Sequence, residues 1–381
     1  MPPRCRLRSA PDAIRRALRL ARRVGPLLAL LPLPVAVSAA EEAPPDGRAL
    51  YAQACAGCHG RDGAGAPGAR ETLPMALPDF SDCAFATREP DADWIAVTHQ
   101  GGPARGFSPL MPPFGGALTV REIERILEHV RTFCTNAAWP RGELNLPRPL
   151  VTTKAFPEDE AVLETDVTVE GRDAALQELV YERRVGPRSQ LEIAVPFGWR
   201  ERPAPADDDG RLGVGDVRLG AKHAFFHDLA RGTILSAAAE LRLPTGDDAE
   251  GFGLGTAAFE PYLAWGQLLP LGLFLHAQAG LELPFDEDRA EDEAFWRLAV
   301  GRSFVSGRFG RVWTPMVELL GARPMTAGAD VDWDLVPQLQ VTLNRRQHVR
   351  LALGVRVPVT DGATRDTRVL AYLLWDWFDG G

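Results

Sequence analysis

The chain has 381 residues, enough for two or three domains, and its content of 45% hydrophobic and 24% charged residues is ordinary. This composition excludes a disordered chain, a collagen-like repeat and a polytopic helical membrane protein. The net charge of −9 argues against a nucleic-acid partner, because such a partner requires a basic face.

The N-terminal residues have the composition of an export signal. Residues 1–23 carry eight arginines against one acid, Asp12, and an uncharged stretch that ends in small residues follows at 24–40. A basic region, an apolar region and a small-residue cleavage site are typical of a secretory signal peptide. A transmembrane helix is disfavoured because three prolines interrupt the stretch. We predict a signal peptide over 1–40, whose removal leaves 34 basic and 50 acidic residues and a net charge of −16.

Cys55, Cys58 and His59 form a C-x-x-C-H sequence, which is typical of c-type haem attachment. Two thiols at this spacing can add to the two vinyl groups of one porphyrin edge, and the adjacent histidine can ligate the iron. A redox C-x-x-C motif would need a βαβ pattern around it, and a zinc site would need a second ligand pair; the sequence has neither. The motif therefore predicts one covalently attached haem c.

Helical patterns flank this motif. Asp46 can cap a helix that runs through Arg48 to Cys55, and Thr119 with Glu122 forms a capping box for a second helix. Apolar residues then recur along one face of that second helix: Ile123, Ile126, Leu127, Val130 and Phe133. The region between the two helices is rich in glycine and proline, as expected of a chain wrapped around a cofactor. The sequence predicts a small all-α domain over 41–135.

The sixth ligand of the haem iron is expected to be a methionine or a histidine. Four residues qualify by type: Met75, His99, Met111 and His129. Met111 is preferred because it lies in a proline-braced loop just before the last helix. His99 is the alternative, since Met75 follows the motif too closely to cross to the other haem face and His129 is expected to face solvent.

Residues 45–135 resemble the class I cytochrome c domains of the bacterial mono-haem type. The matching parts are C-A-G-C-H-G, M-P-P-F-G, and L-T-x-x-E-I at the start of a helix that ends in R-T-F-C. The resemblance implies that His59 is the proximal iron ligand and Met111 the distal one. Such a pair raises the reduction potential relative to two histidines. It also implies one-electron transfer, so we expect an electron carrier more than an enzyme with its own substrate.

The remaining cysteines suggest a disulfide. Cys5 leaves with the signal peptide, and haem attachment uses the two cysteines of the motif. Cys83 and Cys134 then form an even remainder in an oxidising compartment, which favours a bond between them. Two free buried thiols are the alternative.

The rest of the chain has the pattern of a β-barrel. Residues 136–160 contain four prolines and are predicted to be a linker, and from 161 onward apolar and polar residues alternate in strand after strand. The segments are about 10–13 residues long, near the length that spans an outer membrane. Their connections alternate between short and long, as in bacterial transmembrane barrels. We predict an all-β, antiparallel barrel of about 12 strands over 161–381; a soluble β domain is the alternative.

The strand pattern also assigns directions to side chains. Trp375, Trp377 and Phe378 are predicted to belong to an aromatic girdle at the end of the last strand. Charged residues of both signs are expected inside the barrel: Arg218, Lys222, Glu240, Arg242, Arg350, Arg356, Arg368 and Asp376. Any barrel with a wet lumen needs such residues, so they identify no substrate. His223, His227, His276 and His348 are expected to be lumen or interface residues and not metal ligands.

Most of 160–381 resembles the outer-membrane barrels of the MetA-pathway of phenol degradation group, which are regarded as transporters. The resemblance rests on three short motifs, G-V-G-D-V-R-L-G at 213–220, L-P-T-G-D at 243–247 and L-G-T at 254–256. Since the function of that group is loosely defined, the resemblance implies a location more than an activity.

Together these observations predict a multidomain, exported protein of the outer membrane with its cytochrome domain in the periplasm. We expect it to contact outer membrane lipid, to bind no nucleic acid, and to pass single electrons to or from periplasmic or extracellular redox partners. Electrons would move within the periplasm or across the membrane. The alternative is an outer-membrane transporter whose haem domain is a redox sensor or gate. The sequence contains no recognisable catalytic triad, paired-carboxylate site or phosphate loop.

Overall fold

The computed structural model describes residues 46–201, 210–360 and 365–377. The predicted signal peptide at 1–40 and Phe378 lie outside the described residues. None of the helices in this part of the chain has the length and apolar character needed to cross a membrane. The described residues form a helical region followed by an antiparallel β-barrel, which confirms the predicted fold class.

The helical region contains six α-helices in the described residues, α1 (Gly47–Ala54), α2 (Ala56–His59), α3 (Pro67–Thr72), α4 (Cys83–Ala86), α5 (Asp91–Gln100) and α6 (Val120–Arg131). A short 3₁₀ turn at Gly102–Arg105 lies between α5 and α6, and another at Gly142–Leu144 follows α6. The predicted caps are present: the Asp46 carboxylate accepts from the Arg48 amide at 3.1 Å, and Thr119 and Glu122 form both bonds of a capping box. Local sequence therefore sets where these two helices begin.

Helices α1 and α6 pack against each other around a small apolar core. Tyr51 of α1 is 2% exposed and packs with Ile126 and Val130 of α6. Its hydroxyl donates to the Gly60 carbonyl at 2.7 Å, which connects this core to the turn that follows α2. The four aliphatic residues of the predicted apolar face of α6 are buried, whereas Phe133 lies beyond the end of the helix and is half-buried.

The described part of the barrel region forms one sheet of fourteen strands. They are β1 (Glu160–Glu170), β2 (Ala174–Val185), β3 (Ser189–Arg200), β4 (Arg211–Val214), β5 (Arg218–Asp228), β6 (Thr233–Arg242), β7 (Ala258–Leu268), β8 (Leu273–Pro284), β9 (Glu293–Arg302), β10 (Phe304–Val305), β11 (Val312–Pro324), β12 (Asp332–Thr342), β13 (Val349–Pro358) and β14 (Thr367–Asp376). Two of the described strands are short: β4 pairs only with β3, and β10 pairs only with β11. The other twelve close into a ring, because β1 pairs with β14 from Glu160↔Asp376 onward.

Side chains alternate between the two faces of the ring. In β13, Leu351, Leu353 and Val357 are exposed on the outer face, while Ala352 on the inner face is fully buried. Aromatic side chains exposed on the outer face occur near both ends of the strands, including Tyr181, Trp265, Trp313 and Trp375 near one end and Phe197, Trp199 and Phe259 near the other. An apolar outer band between aromatic girdles is typical of a barrel in lipid.

The two ends of the barrel differ. Glu160 and Asp376 lie at the same end, together with the connections 186–188, 229–232, 269–272, 303–311 and 343–348. We call this the terminal end. The connections after β3, β6, β8, β11 and β13 start from the opposite end, which we call the loop end. The predicted alternation of short and long connections is confirmed in part, because 303–311 at the terminal end, which contains β10, is longer than 285–292 and 325–331 at the loop end.

The residues predicted to be a linker run through the barrel interior. We call residues 144–159 the lumen segment. Leu144 packs with Ile234 near the terminal end, and Leu150 packs against Val336 about halfway along the strands. Phe156 then returns to the cluster that contains Leu144. The segment is thus a re-entrant loop, which enters from the terminal end, reaches mid-barrel and comes back to begin β1.

Candidate functional site

The C-x-x-C-H sequence forms a single helical turn. Cys55 is the N-cap of α2, and its carbonyl accepts from the Cys58 and His59 amides at 3.2 and 2.9 Å. Both thiols are free; Cys58 is exposed and Cys55 is half-buried. Burial, with a smaller effect of Cys58, raises the pKa of the Cys55 thiol to about 11. The turn therefore presents two free thiols beside one imidazole.

The imidazole of His59 has the features of a ligand held ready. Its Nδ1 is buried and has no hydrogen-bond partner within the described part of the chain. The ring stacks on Phe80 with centroids 4.9 Å apart, and Phe80 packs in turn against Trp94. Burial lowers the pKa of His59, which favours the neutral form that binds metals.

The loop that carries Met111 is bonded to the end of α5. The Gly102 amide donates to the Met111 carbonyl at 2.9 Å, and the Phe114 and Gly115 amides donate to the carbonyls of Thr98 and His99 at 3.0 and 2.9 Å. Met111 is half-buried. These bonds place the loop beside α5 without using the methionine side chain, so its assignment as distal ligand stays a prediction.

The other ligand candidates differ in their surroundings, although the Nδ1 of His99 is buried without a hydrogen-bond partner in the described residues, as that of His59 is. A side chain at Gly115 would collide with the His99 ring, which also lies 5.2 Å from the ring of Phe309 in a barrel connection. Met75 is exposed. His129 does not simply face solvent as expected: its ring packs edge-on against Tyr51 and Phe133 at 5.4 and 5.0 Å. The packed face of α6 therefore includes His129 and is slightly wider than the spacing of its aliphatic residues indicates.

Cys83 and Cys134 are joined by a disulfide with Cα atoms 5.1 Å apart. This is the pairing that the count of cysteines favoured. It connects the start of α4 to the chain just beyond α6 and closes a loop across 51 residues. The bond leaves Cys55 and Cys58 as the free thiols of the described residues.

The residues around the motif fit a covalent haem. The donors are two free thiols one turn apart and an imidazole with an unpartnered buried nitrogen. Aromatic and apolar side chains surround them: Phe80, Phe85, Trp94, Leu118 and Phe133. The described residues hold no cluster of three or more His, Cys, Asp or Glu side chains suited to a metal ion. Thiols, imidazole and apolar walls are the chemistry that haem c requires.

The helical region rests on the terminal end of the barrel through polar contacts. Arg105 Nη1 donates to the Phe309 carbonyl at 2.6 Å, and Arg346 lies over the Phe107 ring at 4.7 Å. The Arg105 guanidinium also pairs with Asp93 at 3.1 Å. Burial, reinforced by Glu89 and only partly offset by Arg105, raises the pKa of Asp93 to about 6. Barrel connections therefore touch the loop at 102–107, which bonds directly to Met111.

A second set of contacts centres on His348 in the connection before β13. Its Nε2 lies 2.8 Å from Glu89 of the helical region, and its Nδ1 lies 3.3 Å from Asp376 of the barrel. Burial by itself would lower the pKa of His348, but the hydrogen bond to Glu89 and the charges of Asp376 and Glu89 outweigh it and raise that pKa. His348 thus joins both regions.

The charged residues predicted for the lumen do face inward, and each of these pairs links two inner side chains: Arg218 with Glu178 and Glu240, Arg242 with Glu282, Arg350 with Asp376, Arg356 with Asp334, and Arg368 with Asp166. Lys222 instead donates to the Lys154 carbonyl of the lumen segment at 3.0 Å. Sequence reasoning missed that segment as a partner. The signal that could have found it is the set of apolar residues among its prolines: Leu144, Leu146, Leu150 and Phe156.

Comparisons with known proteins agree with the division of the chain into a helical region and a barrel. Residues 42–130 match the family model described as cytochrome C oxidase, cbb3-type, subunit III, which implies binding of c-type haem. Residues 160–345 match the model described as the MetA-pathway of phenol degradation. A search of the curated proteins finds no match.

Solved structures that are similar to this chain include three barrels. An outer membrane channel from Pseudomonas putida F1 is 15% identical with a TM-score of 0.44, over 61% of this chain and 100% of that one. The KdgM porin is 10% identical with a TM-score of 0.39, and the NanC porin is 8% identical with a TM-score of 0.40; each match covers 57% of this chain and 99% of the other. From the family matches, the chain joins in one polypeptide a segment similar to the cbb3-type cytochrome c oxidase subunit III family and a barrel similar to the MetA-pathway family.

Proposed function

We propose that this chain is an electron-transfer protein that binds one haem c in its helical region and is held in the outer membrane by its barrel. The observation that carries the proposal is the α2 turn, where two free thiols and an imidazole with an unpartnered nitrogen meet among aromatic side chains. Bound haem supplies an iron that changes its charge by one electron.

The roles of the chain's own residues follow from this site. Cys55 and Cys58 would hold the porphyrin by thioether bonds, and His59 and Met111 would ligate the iron. Phe80 fixes the His59 ring, and the bonds at 98–102 fix the loop of Met111. Paired methionine and histidine ligands suit a carrier that accepts electrons readily. The redox partners would be periplasmic or extracellular proteins.

The outer-membrane location is supported by the barrel. Among the described residues its twelve long strands close into a ring, and its outer face is apolar between two aromatic girdles. An even number of strands places both barrel termini at one end. Because c-type haem is attached outside the cytoplasm, we propose that the terminal end and the helical region face the periplasm.

Loss of covalent haem tests the site. We expect the wild-type chain, produced in cells that attach c-type haem, to keep haem on a denaturing gel and to fractionate with outer membranes. The variant Cys55→Ala/Cys58→Ala is expected to lose all covalent haem. Cys83→Ala/Cys134→Ala is the matched control, because it removes the same number of cysteines and is expected to keep the haem. A wild-type chain without covalent haem would contradict the proposal.

Ligation is tested separately. Met111→His is expected to lower the reduction potential, because histidine replaces the thioether ligand. His99→Ala is expected to leave the absorption spectrum of the oxidised and reduced protein unchanged. The opposite result would make His99 the distal ligand and Met111 a packing residue.

A second candidate function is that of an outer-membrane transporter whose haem domain is a redox sensor or gate. The observation that favours it is the lumen segment, which continues directly from the helical region into the barrel. Solute flux that changes between the oxidised and the reduced protein would support this function over simple anchoring. Flux that is equal in both states would leave electron transfer as the role of the haem.

A further inference from the structure

The backbone amides of the lumen segment find partners on the barrel wall. Beyond Leu144 the segment forms no helix or strand, so it cannot satisfy its own backbone. Wall side chains accept from five of its amides: Leu150 to Gln338 Oε1 (3.1 Å), Val151 and Thr152 to Glu318 (3.0 and 2.6 Å), Thr153 to Gln278 Oε1 (3.1 Å) and Glu158 to Gln190 Oε1 (2.8 Å). Buried amides need such partners because water does not reach them.

The carbonyls of the segment are bonded in the same way. The donors are wall side chains: His276 Nε2 to Pro147 (3.0 Å), Tyr372 OH and Gln340 Nε2 to Arg148 (2.7 and 3.2 Å), Arg297 Nη1 to Val151 (3.3 Å), Lys222 Nζ to Lys154 (3.0 Å) and Ser236 Oγ to Ala155. These side chains belong to strands on all sides of the ring. The inner wall is therefore built to hold a polypeptide and not only water.

One ion cluster fixes the first half of the segment, at Arg148. The guanidinium of Arg148 reaches Glu160 at 2.8 Å and both Glu164 and Glu182 at 3.0 Å. Glu160 and Glu182 are almost fully buried. Lys154 of the same segment also lies 3.5 Å from Glu160. Without the arginine the three carboxylates would still lose the one cation that they share, which is costly in an interior. Arg148 thus holds the lumen segment against the inner faces of β1 and β2.

We propose that the lumen segment is a plug that closes the barrel to ions and small polar solutes, and that the barrel conducts only when the segment leaves the lumen. Small barrels are filled by their own wall side chains, and large ones enclose a channel. In this barrel the lumen is filled by residues 144–159 together with the inward side chains of the strands. The proposal does not depend on haem binding, so either can fail without the other.

Both ends of the plug are tied to the helical region. Asp159 pairs with Arg88 at 2.7 Å at one end, and Arg141, just before the other end, pairs with Asp91 at 3.0 Å. A shift of the helical region away from the terminal end would therefore pull on the plug from both sides. This gives the plug a route out of the lumen that does not require the barrel to open.

The test measures conductance of the full chain in planar lipid bilayers. We expect the wild type to be closed, and Arg148→Ala to raise the mean conductance by a factor of about 10 or more, because one partner of a buried ion cluster is lost. Arg218→Ala is the matched control: it also removes an inward arginine paired with glutamates, two in place of three, but those pairs join wall to wall. It is expected to stay closed.

A second variant keeps the test decisive if Arg148→Ala does not insert. Leu144 and Phe156 lie in one cluster, so residues 146–154 can be replaced by a short glycine-serine bridge without stretching the chain. This variant is expected to conduct steadily. The proposal is overturned if the wild type shows a steady open pore, or if the bridged variant inserts and stays as closed as the wild type.

Discussion

The helical region and the barrel fill their interiors by different means. Around α2 the chain leaves two thiols and a buried imidazole nitrogen uncommitted, although aromatic side chains enclose them. Inside the barrel, backbone and charged groups of the lumen segment are met by the wall. Buried polar atoms without partners occur in both interiors, among them His59 Nδ1 in the first and Glu182 Oε2 in the second. What sets the first interior apart is the pair of free thiols beside the imidazole, and what sets the second apart is a segment of the chain whose backbone is bonded to the wall. The difference supports a cofactor site in the first interior and a self-contained plug in the second.

The largest effect expected from a single residue is at Tyr51, because the helical region has so small a core of its own. Tyr51→Ala removes a fully buried ring and is expected to cost about 3–5 kcal/mol of the stability of the helical region. The barrel is expected to be unaffected, since its strands are bonded in a closed ring. Proteolysis of the membrane-inserted protein measures this as rapid cleavage of residues 46–135 with the barrel intact.

Tyr51→Phe is the control for that change. It keeps the ring and removes only the hydroxyl that donates to Gly60, so a loss of about 0.5–1.5 kcal/mol is expected. Equal damage from both variants would contradict the view that ring packing holds α1 to α6. Cleavage of the barrel together with the helical region would show that the two do not unfold separately.

The same contrast explains which parts of the fold and of the candidate site could be predicted from the sequence. Strand alternation and capping residues act locally, so the strands and the starts of α1 and α6 were predictable from short stretches of sequence. The lumen segment was not, because its prolines suppress any period and its partners, such as Glu318 and Gln338, lie far along the chain. The C-x-x-C-H motif was predictable because its chemistry depends on spacing alone. The docking of His348 between Glu89 and Asp376 depends on tertiary structure.

A smaller effect is expected from the disulfide. Cys83→Ser/Cys134→Ser opens a loop across 51 residues and is expected to cost the helical region about 2–4 kcal/mol. Hydrogen exchange would detect this as lower protection of α4 and α6, with protection of the β-strands unchanged. Unchanged protection of α6 would mean that the core around Tyr51 holds these helices without the disulfide. Apolar packing alone would then account for the stability of the helical region.

The contact between the two regions is expected to depend on pH through His348. Its folded pKa lies above the ordinary value of about 6.5, so its contribution is complete below about pH 6.5 and is lost as the pH rises through the raised value. Glu89 and Asp376 favour the charged ring, and Arg350 opposes it. Thermal release of the helical region should therefore occur at lower temperature as the pH rises. His348→Gln should remove this dependence; a dependence that persists would assign it to another group.

The smallest effect is expected at the start of α6. Thr119→Ala removes the hydroxyl that accepts from the Glu122 amide at 3.3 Å and is expected to cost about 1 kcal/mol. Thr119→Ser keeps that oxygen and should cost much less. Because the helical region has little apolar core, even this loss should shift its thermal unfolding, whereas Ser236→Ala, which removes a donor to the plug, should leave that transition in place. If Ser236→Ala also shifted it, plug and helical region would unfold together, and the two interiors would form one cooperative unit.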